Sequence, residues 1–435
     1  MKYSQYNTFI SLTEQVSALY NALSDKFVLL TKIIFNDLNL PIHSLAKKNS
    51  TLYEELLQAK AIVENNIDEY EYIKNFSREI DNNSKEYKLM LNPTLDCNLK
   101  CWYCYENHIK GSRMSAITIA SIKKNITNIF QKYKKLEAFY LYFFGGEPLL
   151  AFSTAKELIS CIADHCNKQN IILNISFTSN GVLINERNII YLKQKCKKVS
   201  FQITLDGGEL EHDKVRFLTS KAGTYKRILK NIHLLLKHEV FVILRINYTK
   251  ENILSISSIL SDIQEWDDNY KGNMKIDFQR VWQEDKNALN IDEFIESFTN
   301  TGFLVTSPIH NVDNVRFPCY ADNLNQLLIN YNGDVFKCTA RDFATENRCG
   351  YLTETGNIIW TSLPPDERLE TKMQKSICRT CSILPLCGGG CSQRCIEQND
   401  EEHCTYNYEE ADKKEIVLNR FYNYFVKNYE TNTGI

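Results

Sequence analysis

Leu91-Asn92-Pro93-Thr94-Leu95-Asp96-Cys97-Asn98-Leu99-Lys100-Cys101-Trp102-Tyr103-Cys104 leaves a short apolar segment and places three cysteines within eight residues. The lead-in reads as a strand entering a loop, and the thiols follow at an uneven C-x3-C-x2-C spacing. A cubane iron–sulfur cluster has four irons, so three cysteines leave one iron open to chelate a small molecule and pass it an electron. Structural zinc is the competing reading. It expects paired C-x2-C units with a second pair to close a tetrahedron. Only Cys101 and Cys104 form such a pair here, and the next cysteine is Cys161.

Around this stretch, short β-branched and aromatic runs recur between residues 88 and 306. They cover 88–92, 139–144, 171–178, 199–205, 241–248 and 275–281. Helix-like stretches such as 117–136, 155–165 and 225–237 fall between them. Apolar runs of this length match buried parallel strands, and the alternation predicts an α/β fold of βα units around a parallel sheet. Ligands then belong at the C-terminal ends of the strands.

The three-cysteine loop resembles the signature of the radical S-adenosylmethionine (SAM) enzymes, and further elements in the same order strengthen the resemblance. Gly145-Gly146-Glu147-Pro148 ends the second run and is similar to the family's GGEP turn. By that resemblance its main chain and Glu147 hold the methionyl amino group of SAM. Thr178-Ser179-Asn180-Gly181 resembles a T-N-G element with one residue inserted, although a Ser-Asn-Gly turn is its plain reading. Thr204-Leu205-Asp206-Gly207 resembles an S-x-D-G element, with Thr in place of Ser. Its Asp206 also reads as a cap for the following helix. His212, Asp213 and Arg216 follow as they do in these enzymes. Arg245 and Asn247 put polar groups where a core strand would be apolar, and Arg245 reads as a ligand or carboxylate partner. The resemblance implies a partial (β/α)6 TIM-like barrel over 88–306. It implies SAM contacts at Gly145, Gly146, Glu147, Pro148, Ser179, Asn180, Thr204, Asp206, Arg216 and Arg245, and cluster ligands at Cys97, Cys101 and Cys104.

Composition bounds the class. The chain has 435 residues, is 43% hydrophobic and 24% charged, and carries a net charge of −2, which gives no support for a nucleic-acid partner. No apolar stretch reaches the roughly 20 residues a membrane span needs, and the start of the chain has no apolar signal region, so a cytoplasmic protein is expected. Fifteen cysteines in a large chain without such a region fit metal or cluster ligands better than disulfides.

The C-terminal third, 307–435, carries the second pattern. Cys319, Gly333 and Cys338 are followed by Cys378-x2-Cys381-x5-Cys387-x3-Cys391 and then Cys404. This resembles the seven-cysteine SPASM extension of radical SAM enzymes, where zinc sites are the plain alternative. The resemblance implies two auxiliary [4Fe–4S] clusters, three with the SAM cluster. One would take Cys319, Cys338 and Cys391, the other Cys378, Cys381, Cys387 and Cys404. The first then has three cysteines; either Cys349 or Cys395 supplies a fourth, or an iron stays open for substrate. Asn332-Gly333-Asp334 reads as a hairpin turn. Cys161, Cys166 and Cys196 read as buried, inert thiols.

The first 87 residues form an α+β extension, with a strand-like 6–12 and helix-like 52–64 and 68–73. Peptide-modifying members of the family often carry a winged-helix leader-recognition domain here, which adds the leader as a strand to a sheet edge; a barrel-capping helical extension is the alternative. Members with SPASM extensions act largely on peptides. A peptide maturase is therefore expected, one that forms a thioether or carbon–carbon crosslink in a ribosomally made precursor with a leader. Its implied electron donor is of flavodoxin or ferredoxin type. Lys337-Cys338-Thr339-Ala340-Arg341-Asp342-Phe343 resembles a stretch of the Bacteroidales-type peptide maturases. A sulfatase maturase forming formylglycine is the second expectation, although that group places Asp where this chain has Thr339. A non-catalytic iron–sulfur peptide-binding scaffold is the third.

Overall fold

The computed structural model describes residues 1–284, 289–306, 319–362, 364–398, 400 and 402–433, with backbone only at 423 and 425–433. Near the N-terminus, β1 (Lys2–Tyr3) pairs with β5 (Ile62–Val63). Between them β2 (Asn7–Ser11), β3 (Val16–Asn21) and β4 (Lys26–Thr31) form an antiparallel sheet in the order β2-β3-β4. Its alternation puts Leu19, Val28 and Leu30 on one face, against Leu45, Leu52 and Leu56 of the helices Ile42–Lys48 and Ser50–Gln58. Ile10, Ala18 and Tyr20 belong to a different core, with Tyr70, Ile73, Met373, Ile383, Leu384, Val417 and Phe421. A three-stranded sheet buried on both faces needs two covering layers. One is supplied locally, and the other comes from the cysteine-rich end of the chain.

That shared core explains the division of the chain into two units. The first comprises Met1–Asn82, Ile309–Leu324 and Pro365–Ile435; the second comprises Asn83–Pro308 and Asn325–Pro364. Segments 1–87 and 307–435, distinct in sequence, thus contribute to one unit. The boundary expected between 306 and 307 adjoins residues outside those described. The helix-like run 52–64 ends at Gln58, where Ala59 caps the helix, and resumes as β5.

The second unit is built on an eleven-stranded sheet. Its strands are β6 (Glu86–Leu91), β7 (Ala138–Phe143), β8 (Ile172–Ser179), β9 (Lys198–Leu205), β10 (Phe241–Tyr248), β11 (Met274–Arg280) and β12 (Leu304–Thr306), parallel and in sequence order. The six expected strands are all present, and β12 adds a short seventh. On the far side of β6 runs β13 (Gln326–Ile329), parallel to it, followed by the antiparallel β14 (Asp334–Phe336), β15 (Gly350–Leu352) and β16 (Ile358–Trp360). Gly333, at φ +88°, makes the expected turn between β13 and β14.

Along β6 to β11, alternate residues such as Leu89, Leu141, Ile175, Ile203, Leu244 and Ile276 are buried in one large core with Ile122, Leu158 and Ile232 of the intervening helices. The residues between them, including Thr178, Thr204, Arg245, Asp277 and Gln279, occupy the opposite face. Period-two alternation therefore reserves one side of the sheet for packing and the other for chemistry.

Candidate active site

The loop after β6 is closed on itself before it reaches the cysteines. Thr94 Oγ1 donates to Ser112 O at 2.5 Å, Ser112 Oγ accepts Leu95 N–H at 2.9 Å, and Asp96 Oδ2 accepts Gly111 N–H at 2.8 Å. The turn after β7 then locks onto it. Gly146 N donates to Thr94 O at 3.2 Å and Glu147 N to Asp96 O at 2.8 Å. A Cβ on Gly145 would lie 2.5 Å from Thr94 O, and one on Gly146 would lie 2.3 Å from Asp96 O. Only glycine lets the two backbones approach this closely.

Glu147 is wholly buried. Its carboxylate accepts from Leu149 N at 3.0 Å, Asn180 N at 2.8 Å, and Ser179 Oγ at 2.9 and 3.1 Å. Burial pushes its carboxyl up to about 7, against the pull of these donors. Glu147 thus ties the end of β7 to the end of β8. Its oxygens are occupied by the chain itself, so what it does is shape the turn. Ser179 is spent on the same carboxylate. Asn180 reaches forward, donating from Nδ2 to Asn98 Oδ1 at 2.8 Å and standing 3.8 Å from Cys97 Sγ.

The three thiols sit together on the loop and act on one another electrostatically: Cys101 bears on both Cys97 and Cys104. Burial pushes Cys97 up to about 12, and burial with the Glu106 carboxylate pushes Cys104 up to about 11. Burial also raises Cys101, with the Arg216 guanidinium opposing it. Cys104 Sγ lies 3.6 Å from His108 Nε2. Among the described residues no three Cys, His, Asp or Glu groups converge closely enough to share one metal ion. Three soft donors on one loop fit the cluster.

Sequence reasoning passed over Tyr103. Its hydroxyl donates to the Asp206 carboxylate, at 2.6 and 2.8 Å, and accepts from Arg216 Nη2 at 2.7 Å and Asn247 Nδ2 at 3.1 Å. Arg216 Nε also donates to Asp206, forming a buried ion pair. His212, held neutral by burial, faces Asp206 N through Nδ1 at 3.2 Å and Thr224 Oγ1 through Nε2 at 3.0 Å. One phenol therefore fastens the cysteine loop to the ends of β9 and β10. A hydroxyl-bearing aromatic between two cysteines was the available signal. Asp206 is not a helix cap, since Gly208 occupies that position. Among the residues expected to touch SAM, Thr204 and Arg245 keep the most polar capacity uncommitted; Arg245 Nε donates to Asn247 Oδ1 at 3.0 Å.

In the first unit, Cys378, Cys381, Cys387 and Cys404 line one pocket with Ile383, Leu384 and Lys413. Burial pushes Cys378 and Cys387 up to about 12, with the other thiols adding to the rise. Gly388, Gly389 and Gly390 all have positive φ and curl the chain between Cys387 and Cys391; a Cβ on Gly389 would lie 2.4 Å from Met373 N. Four thiols at one pocket fit a fully cysteine-ligated cluster. Cys319 and Cys391 belong to the same unit. Asp322 accepts from Ser392 Oγ and meets Lys372 Nζ at 3.1 Å, fixing the segments that follow both cysteines. Cys338 and Cys349 belong to the second unit. Cys395 is buried, 3.3 Å from Thr405 Oγ1. Cys166 and Cys196 are buried as expected, while Cys161 is only partly so.

The model of the radical SAM superfamily matches residues 91–263. The chain carries a radical SAM domain. The superfamily implies an enzyme that binds SAM and a [4Fe–4S] cluster. The chain is 25% identical over 374 residues to a cysteine-type anaerobic sulfatase-maturating enzyme of Clostridium novyi, covering 77% of this chain and 92% of that one. It is 23% identical over 341 residues to the radical SAM cyclopropyl synthase TigE of Paramaledivibacter caminithermalis, covering 68% and 65%. Its fold is similar to Streptococcus suis SuiB bound to the precursor peptide SuiA, at a TM-score of 0.52 and 16% identity, covering 92% and 97%. No helix among the described residues is long and apolar enough to cross a membrane.

Proposed function

We propose that this radical SAM chain is a cytoplasmic peptide maturase that installs a side-chain crosslink, thioether or carbon–carbon, in a ribosomally made precursor. The observation that carries the reading is the seal between the Gly145-Gly146-Glu147 turn and the Thr94–Asp96 backbone, which presents three thiols beside the polar ends of β8 to β10. Cys97, Cys101 and Cys104 would ligate the SAM cluster, and Thr204 and Arg245 would meet the polar groups of SAM. With SAM held there and an electron from an external flavodoxin- or ferredoxin-type donor, cleavage of its C5′–S bond would release methionine and provide a 5′-deoxyadenosyl radical for hydrogen abstraction from the substrate. Tyr103, Asp206 and Arg216 would hold the loop still while that happens.

Two auxiliary [4Fe–4S] clusters are part of this reading: one on Cys378, Cys381, Cys387 and Cys404, the other on Cys319, Cys338 and Cys391. The N-terminal sheet favours a peptide substrate. Among the described residues its strands β2 and β4 each pair with β3 alone, leaving edges where a leader can add a strand. SuiB, with its precursor peptide, shares the fold over nearly the whole chain. Formylglycine formation is the second reading, favoured by the length of the match to the sulfatase-maturating enzyme.

The test is anaerobic turnover with SAM, a strong one-electron reductant and the precursor peptide encoded nearest the gene. Formation of 5′-deoxyadenosine together with a peptide lighter by two hydrogens per crosslink is expected. Loss of cysteine sulfur with aldehyde formation would favour the second reading. No 5′-deoxyadenosine from iron-loaded protein would overturn both.

A further inference from the structure

One cation lines the four-cysteine pocket, and a second is buried three residues before its first cysteine. Lys375 is 4% exposed, and its Nζ has no hydrogen-bond partner among the described residues. It stands at the turn entering the ligand segment, where Lys375 O accepts Cys378 N–H at 2.9 Å. Its charge bears on Cys378 and on Cys395. Lys413 is 7% exposed and lines the pocket, and its charge bears on Cys381. Its Nζ meets Glu410 at 2.5 Å, but that carboxylate is largely in solvent. The other cations nearby are committed: Lys372 to Asp81 and Asp322, and Arg379 over the Tyr70 ring.

A buried ammonium without a partner is strongly disfavoured unless an anion stands beside it. We propose that Lys375, with Lys413, is the built-in counter-charge of an iron–sulfur cluster on Cys378, Cys381, Cys387 and Cys404, and that the pair sets this cluster at a raised reduction potential. Four thiolates around a [4Fe–4S] core leave a net negative charge, which grows by one on reduction. Fixed positive charge in an apolar setting therefore favours the reduced form, and net charge is a recognised determinant of cluster potential. A cluster poised in this way is suited to accept an electron from a substrate radical. The inference rests on the auxiliary-cluster assignment proposed above.

The experiment is redox potentiometry followed by electron paramagnetic resonance on the full chain, reconstituted in a Cys97/Cys101/Cys104→Ala background to remove the SAM cluster's signal. Lys375→Met and Lys413→Met are each expected to keep their iron and move one midpoint to lower potential, by at least tenfold in the one-electron equilibrium, about 59 mV. Lys414→Met, exposed on the same helix, should move nothing. Full iron with an unmoved midpoint in Lys375→Met overturns the inference. If Lys375→Met loses iron, Lys375→Arg and Lys375→Gln decide: retention and a near-normal midpoint in the Arg variant alone upholds it, and equal behaviour overturns it. The assignment beneath it fails separately, if Cys387→Ala leaves the iron content of the background unchanged.

Discussion

Single residues in this chain do more holding than touching. Asp206 and Arg216 form a buried pair that the Tyr103 hydroxyl completes, with its one donor and two acceptor positions all used. Asp206→Ala should cost about 3–5 kcal/mol, because it strands the Arg216 charge in the interior. Urea denaturation measures that directly. Tyr103→Phe keeps the ring and the ion pair but removes the link, so a milder loss of about 1.5–3 kcal/mol is expected. Its more telling readout is weaker SAM retention at unchanged iron content. Glu147 gives a pH signature. Its folded carboxyl, raised by burial to about 7, binds a proton more tightly than in the unfolded chain. The stability it contributes is therefore greatest below the unfolded value and falls as pH rises towards 7, by about 3 kcal/mol at most. Glu147→Gln should flatten urea midpoints between pH 5 and 8, and a slope like wild type would contradict the assignment. In the same way, Cys97 and Cys378, each raised to about 12, should be alkylated far more slowly in the folded iron-free chain than in urea at pH 8.

At the scale of elements, glycine turns decide where the cysteines point. The turn after β7 works because neither Gly145 nor Gly146 carries a Cβ against the backbone of the preceding loop. Gly146→Ala should push that loop away and lose the SAM-cluster iron, about four atoms by colorimetric assay, while sparing the C-terminal pocket. Gly389→Ala should do the reverse, since its Cβ would strike Met373 N and its φ of +82° disfavours any side chain. The six long strands were legible because each is an apolar run of buried parallel type. Strand β12 was not, because three residues carry too little periodicity. β13 read as half of a hairpin; its second, parallel pairing with β6 depends on a partner over two hundred residues away.

At the scale of the whole molecule, the N-terminal region is not an appendage to the cysteine-rich end. Tyr6, Ile10, Ala18 and Tyr20 share a core with Met373, Ile383, Val417 and Phe421, and Tyr70 OH donates to Met373 O at 2.6 Å. Removing residues 1–82 would bare that core. The truncated chain should express poorly and lose the iron of the four-cysteine pocket, as judged by solubility and iron assay. A soluble truncation with full iron would show that the pocket folds without the sheet.

The chemistry of the donors and their order can be read along the chain. The uneven three-cysteine loop, the Gly145-Gly146-Glu147-Pro148 turn and the seven later cysteines are local patterns, and spacing along the chain is enough to read them. Tertiary structure alone decided which side chains are spent on one another. Glu147 with Ser179 and the Tyr103–Asp206–Arg216 cluster are pairings between residues far apart in the chain, and the fold likewise buries Lys375 Nζ without a bonded partner. No local pattern encodes them, because hydrogen bonding and burial depend on distance in space.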